Sequence, residues 1–273
     1  MNPIRIAELL EPFLAAPIAV PIALPIIAQE DPGRAAQAVQ APPFLSPDQL
    51  QQISTYIDIL LRWNARINLT AIRDPEEIVT RHFGESLFAA RHLFPPPGQV
   101  ATPACPEQSR RACLPGPGPE QQGEDKHSPA GLAVADVGSG AGFPGLPLKL
   151  WSPSISLTLI ESNHKKAAFL REVVRALTLT NVNIQNTRAE TLHDPGQGAS
   201  IFDVVTLRAV ERFDSILPVA ATLVAPAGRL ALLIGASKED QARATLSPFA
   251  WSESLSLPDS RNRILLIGTG PKP

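Results

Sequence analysis

Cysteine, methionine and tyrosine are scarce in this chain of 273 residues, at two, one and one, and aromatic side chains make up only 5% of it. Two cysteines are too few for a disulfide framework or a thiolate metal site. Both, Cys105 and Cys113, sit in a proline-rich stretch that offers a nucleophile no rigid support. A reducing, cytoplasmic setting is the expectation. Charge of one sign is not in excess either: the formal net charge is −2. No global basic field marks a nucleic-acid binder, and none excludes a local patch. A membrane span is also missing. The apolar run Phe13–Ile27 has 15 residues, short of the ~20 that a span needs. Pro17, Pro21 and Pro25 would break a helix at each turn, and Glu8 and Glu11 oppose the positive character of a signal sequence.

Proline is plentiful: 29 residues, eight of them within 1–43 and nine within 95–130. Such composition does not bury enough apolar surface to offset its ordering entropy. The reading therefore divides the chain into four parts. Residues 1–43 are a disordered Pro/Ala-rich extension, 44–94 a helical element, 95–130 a Pro/Gly-rich insertion or linker, and 131–273 the main domain.

Within 44–94, Ser46 with Gln49 forms a capping box, and Pro47 suits the first helical position. Leu50, Ile53, Ile57, Leu60 and Leu61 then recur at helical spacing. A second helix follows Asp74 and Pro75. From 131 onward, strands and helices alternate. Strands are predicted at Leu132–Val137, Leu157–Glu161, Val182–Gln185, Phe202–Leu207, Leu230–Ile234 and Ile264–Ile267; the clearest helices are His164–Leu177 and Asp214–Val224. This pattern predicts a doubly wound, mostly parallel α/β sheet, with ligands at the carboxyl ends of its strands.

The first strand runs into VADVGSGAGFPGLPL, with glycines at 138, 140, 142 and 145 and an acid at Asp136. A dinucleotide fingerprint would place glycine at 143, where Phe143 stands. A short acid beside the loop is awkward for pyrophosphate and suits a cationic ligand. Glu161 ends the second strand, at the ~20-residue interval where a carboxylate binds ribose hydroxyls. One carboxylate accepts from two adjacent hydroxyls. Acid, glycine loop and second acid together point to S-adenosylmethionine.

LRWNARINLTAIRDPEE, RHFGES, VADVGSGAGFPGLPL, LIESNHKKAAFL, TRAET and FDVVTLRAV follow one another in order. On these the chain resembles the bacterial 16S ribosomal RNA methyltransferase G family, also called glucose-inhibited division protein B, over most of residues 46–94 and 131–268. The resemblance implies a Rossmann-like class I methyltransferase domain at 131–273 and methylation of guanine N7 in 16S rRNA of the small ribosomal subunit, with S-adenosylmethionine as donor. It also implies cofactor contacts at Gly138, Phe143, Ala189, Glu190 and Arg208, beside Asp136, Gly140 and Glu161 read from the loop. Arg208 is the one candidate for orienting donor or target base. Phe143 also suits a core plug beneath the loop, and the plainer readings of Glu190 and Arg208 are a helix cap and an exposed surface position.

Related sequences usually carry Lys-Gly at the end of the fifth strand. Here Ile234 precedes Gly235, and Lys238 comes three residues later. Guanine N7 offers a lone pair at neutral pH, so alignment matters more than a base. The domain has neither the cysteine that attack at a pyrimidine C5 needs nor an Asn/Asp-Pro-Pro-aromatic loop after strand four. Asn64, Asn68, Thr70, Arg81, His82 and Ser86 read either as local capping groups or as contacts to RNA or the pocket. Rival readings are a methyltransferase for another RNA or a small molecule, a donor-binding protein without catalysis, and a nicotinamide oxidoreductase. No metal and no obligate protein partner is implied, and nothing requires more than a monomer.

Overall fold

The computed structural model describes residues 1–15, 45–94, 131–192, 202–208 and 212–272. The proline-rich segment 95–130, with both cysteines, lies outside the described residues, as does 16–44.

The amino-terminal element holds α1 (Pro3–Ala15), α2 (Pro47–Ile67), α3 (Pro75–Glu77), a π-helical segment (Ile78–Gly84) and α4 (Glu85–Leu93). Helix α2 begins as its sequence requires, with Ser46 and Gln49 bonded reciprocally and Pro47 in the first turn. Asp74 caps α3 through the Glu77 amide.

Helix α1 departs from the expected disorder of 1–43 over Pro3–Ala15, while 16–43 lies outside the described residues. Ile6, Leu10 and Phe13 lie at helical spacing and are wholly buried. Pro12 lies within the last turn and supplies no N–H to the carbonyl four residues before it. The helix is tied to its neighbours at several points. Arg5 forks onto Glu76 at 2.8 and 3.0 Å, Ser54 Oγ donates to the Met1 carbonyl, and Arg91 donates to the Phe13 carbonyl at 3.0 Å. The Phe13 ring lies so close over Gly84 that a Cβ there would stand 2.6 Å from it.

The rest of the chain alternates β1 (Ala133–Val137), α5 (Gly145–Trp151), β2 (Ser156–Ile160), α6 (His164–Ala176), β3 (Val182–Gln185), β4 (Phe202–Arg208), α7 (Phe213–Thr222), β5 (Val224–Gly235), α8 (Glu239–Thr245), β6 (Ala250–Trp251), β7 (Leu255–Ser256) and β8 (Arg263–Thr269). The sheet order is β3-β2-β1-β4-β5-β8-β6, with β7 also on β8. Strands β1 to β5 are parallel, and β8 returns antiparallel to β5. The doubly wound sheet is as expected. Helices α5 and α8 and the short strands β6 and β7 are additions to the predicted elements, and β5 begins six residues before its predicted start.

Alternation along the strands sorts two cores. Val134, Leu157, Leu159, Val204 and Leu233 face α5, α6 and the amino-terminal helices, whereas Ala135, Val137, Ile160, Val205 and Leu232 face α7 and α8. The chain leaves β1 toward β2 and later returns to β4 on the other side of β1. That reversal opens a crevice at the carboxyl ends of β1 and β4. Among the described residues, no helix is long and apolar enough to cross a membrane.

If α1 is part of the core, Phe13→Ala lowers unfolding free energy by about 3–5 kcal/mol. Ile4→Ala, at a position 69% exposed, changes it by less than about 0.5 kcal/mol. Urea denaturation of the full chain checks both.

Candidate functional site

Strand β1 delivers the chain into the crevice at Gly138. The amides of Gly138 and Ser139 donate to the Ile160 carbonyl at 2.9 and 3.1 Å, which pins the turn to β2. Gly138, Gly140 and Gly142 have φ of +71°, +56° and +87°, backbone that L-residues adopt at a cost. A Cβ on Gly140 would meet nothing nearer than 3.7 Å. At Gly142 it would collide with Tyr56 Oη and with Leu146, because the Tyr56 hydroxyl reaches across to donate to the Ala141 carbonyl.

Glu161 follows β2 and is 7% exposed. One carboxylate oxygen accepts from the Gly140 amide at 2.9 Å, and the other from the Asn163 amide at 2.7 Å. It thereby ties the glycine turn to the start of α6. Asn186 Nδ2 donates to the Glu161 carbonyl and holds the turn after β3 against the turn after β2. There Ala189–Thr191 form a short 3-10 turn that no side chain caps, so Glu190 is not the cap residue that one reading made it.

Phe143 serves as core and wall together. Its ring stacks on Tyr56, with centroids 5.3 Å apart and planes at 3°, and on His82 at 4.7 Å and 22°. Phe83 meets it edge-on. Arg208, the last residue of β4, is not at the surface: its side chain is 8% exposed. Its guanidinium donates to the Arg81 carbonyl at 2.6 Å, to His82 Nδ1 at 3.1 Å and to Glu85 at 2.9 Å.

These residues surround a cavity of about 750 Å³, within the usual range for a small-molecule site. Gly138, Gly140, Phe143, Glu161, Ala189, Glu190 and Arg208 all line it. Asp136 does not, and its expected place against a ligand is corrected. Its side chain points to the α5 face and is 1% exposed, accepting from Thr206 Oγ1 at 2.8 Å and from the Gly145 amide at 3.2 Å. Burial pushes the carboxyl up to about 6, against the pull of those bonds.

The amino-terminal element adds Leu69, Thr70, Ala71 and His82 to the cavity wall. The polar motif there is mostly local bonding. Asn64 exchanges two 2.9 Å hydrogen bonds with the Thr70 main chain, Asn68 closes α2 in the left-handed region, and Ser86 bonds the His82 carbonyl. His82 is the exception. Burial and the nearby guanidiniums of Arg208, Arg263 and Arg81 push its imidazole down to about 3, so it is neutral at physiological pH.

Glu85 was not among the predicted residues. It is wholly buried and faces Arg81 at 3.2 Å, Arg208 at 2.9 Å and Arg263 at 3.0 Å. Its signal was a charge on an otherwise apolar helix face, four residues after Arg81. Lys238 remains exposed, bonded to Gln241 beside α7, and does not line the cavity.

The chain matches the family model described as rRNA small subunit methyltransferase G over residues 49–95 and 123–262. It is 36% identical over 186 residues to ribosomal RNA small subunit methyltransferase G of Xylella fastidiosa strain M23, covering 68% of this chain and 69% of that one. The protein of the same name from Stenotrophomonas maltophilia strain K279a is 32% identical over 256 residues, 92% of this chain and 98% of that one. Its counterpart in Roseiflexus castenholzii is 34% identical over 197 residues, 72% and 70% of the two chains.

The raised Asp136 carboxyl has a definite sign. Between its ordinary 3.8 and about 6, the folded state holds a proton that the unfolded state has released. This group's contribution to stability therefore declines as pH rises through that window. Asp136→Asn gains stability relative to the parent from pH 4 to pH 6 and levels off above it. Parallel profiles of unfolding midpoint against pH would count against this assignment.

Proposed function

The chain belongs to the rRNA small subunit methyltransferase G family, and we propose that it transfers the methyl group of S-adenosylmethionine to N7 of a guanine in 16S rRNA of the small ribosomal subunit. The observation that carries this reading is the convergence of the glycine turn, Glu161 and Arg208 on one cavity at the reversal point of the sheet.

The residues fit a nucleoside donor. Gly140 leaves open space where a Cβ would stand, so a ligand can approach the main chain of the turn. The Glu161 carboxylate lies in the cavity wall with one main-chain donor on each oxygen, which leaves lone pairs for a pair of ribose hydroxyls. The turn at Ala189–Glu190 lines the same cavity and suits the edge of an adenine. Phe143, backed by Tyr56 and His82, gives an apolar wall that keeps water from the reacting centre. When bound, the donor supplies an electrophilic methyl group on a sulfonium.

The protein's own part is positioning. An in-plane lone pair on N7 needs no proton removed, so what Arg208 contributes is orientation of the donor or of the target base. A planar fork of donors suits both tasks. Asp136 holds the glycine turn from beneath by bonding α5 and β4, and makes no contact with substrate. Lys166, Arg188 and Arg212 stand around the same cavity and give its mouth a local positive charge that suits a phosphate backbone. The chain's near-zero net charge conceals this patch.

Labelled methyl transfer to small subunits lacking the modification, followed by chemical cleavage at N7-methylguanine, tests the reading. A single cleavage site in 16S rRNA is the expected result. Label elsewhere overturns the atom or the substrate, and donor binding with no transfer supports a catalytically silent binder. Arg208→Ala lowers kcat/KM on the order of 10²-fold, the scale of losing one preorganised donor. Glu161→Gln weakens donor binding by about tenfold or more, the worth of a charged hydrogen bond.

A further inference from the structure

We propose that His82 is a positioning residue: its Nδ1 accepts from Arg208 and sets the plane of that guanidinium at the cavity. The proposal rests on the reading that Arg208 serves the donor site.

A guanidinium has donors only. The two contacts from Arg208 to Nδ1, both 3.1 Å, therefore require the lone pair on Nδ1 and the proton on Nε2. Nε2 stands 2.8 Å from Thr70 Oγ1, which accepts that proton's hydrogen bond. Thr70 Oγ1 also accepts from the Ile72 amide, and the Thr70 main chain is fixed by Asn64 on α2. A line of bonds thus runs from α2 through Thr70 and His82 to Arg208. Each member fixes the orientation of the next.

Glu85 does not replace His82 in this task. Its carboxylate is shared with Arg81 and Arg263, so it holds Arg208 by one nitrogen and leaves rotation about that contact open. The Arg81 carbonyl bonds that same nitrogen, Nη2, whereas His82 Nδ1 also takes the other terminal nitrogen, Nη1, and so holds the guanidinium in its plane. The π-helical segment matters for the same reason. It turns the Arg81 carbonyl, the His82 ring and the Glu85 carboxylate toward one guanidinium.

The ring has a second role, its stack on Phe143, and two substitutions separate the roles. His82→Asn keeps an acceptor where Nδ1 stood and loses the stack. His82→Phe keeps a stacking ring and loses the acceptor. Donor affinity by calorimetry and kcat and KM for methyl transfer are measured for both, for Arg208→Ala, and for the double variant His82→Phe with Arg208→Ala. The expected result is a loss of about tenfold or more in His82→Phe, recovery to within about fivefold of the parent in His82→Asn, and no further loss when His82→Phe is added to Arg208→Ala. Thr70→Val, which removes the partner of Nε2, gives a smaller loss of the same kind and serves if the His82 variants do not fold.

Normal function in His82→Phe, equal damage in His82→Asn and His82→Phe, or additive losses in the double variant would each overturn the inference. Normal function in Arg208→Ala would instead overturn the reading of Arg208 on which it rests.

Discussion

One buried carboxylate joins the two halves of this molecule. Glu85, at the start of α4, faces Arg81 from the π-helical segment, Arg208 from β4 and Arg263 from β8. A carboxylate taken wholly out of water costs several kcal/mol unless its lone pairs are filled, and here three guanidiniums compete to fill them. Such a cluster adds little net stability, but it allows few arrangements. The helical element cannot slide on the sheet without stranding Glu85 or Arg208. The same contacts bring His82 to the cavity and hold Arg208 at its edge, so the docking of the helices and the shape of the site are one constraint.

The glycine turn divides its duties in a similar way. Gly138 and Gly140 leave backbone accessible to a ligand. Gly142 and Gly145 instead make room for protein: a Cβ at the first would strike Tyr56 from α2, and at the second Leu159 and the Asp136 carboxylate. Half of the glycines thus exist because α2 and β2 pack so closely beneath the turn. Phe143 belongs to both sides, as a packed ring among Tyr56, Phe83 and His82 and as cavity wall.

Much of this was legible in the sequence. Strand positions follow from short apolar runs, the α2 start from its capping box, and the site from acids and glycines at strand ends. Asp136 was misplaced, although alternation along β1 puts it on the face of Val134, toward α5 and away from the cavity. Helix α1 was hidden by the prolines around it; its stripe of Ile6, Leu10 and Phe13 finds its partners only through long-range packing. The π-helical segment was not legible, because local spacing reads it as part of one ordinary helix, and Glu85 showed there only as a charge four residues after Arg81. What distinguishes them is the arrival of Arg208 more than a hundred residues later.

The most direct test of the account is amide hydrogen exchange with and without S-adenosylhomocysteine, the demethylated donor. If the helical element forms one wall of the donor site through Arg208, exchange slows at Gly138–Phe143 and at Ala189–Glu190, and slows as well across Ile78–Glu85. Protection of the sheet-side turns with no change in Ile78–Glu85 would contradict it.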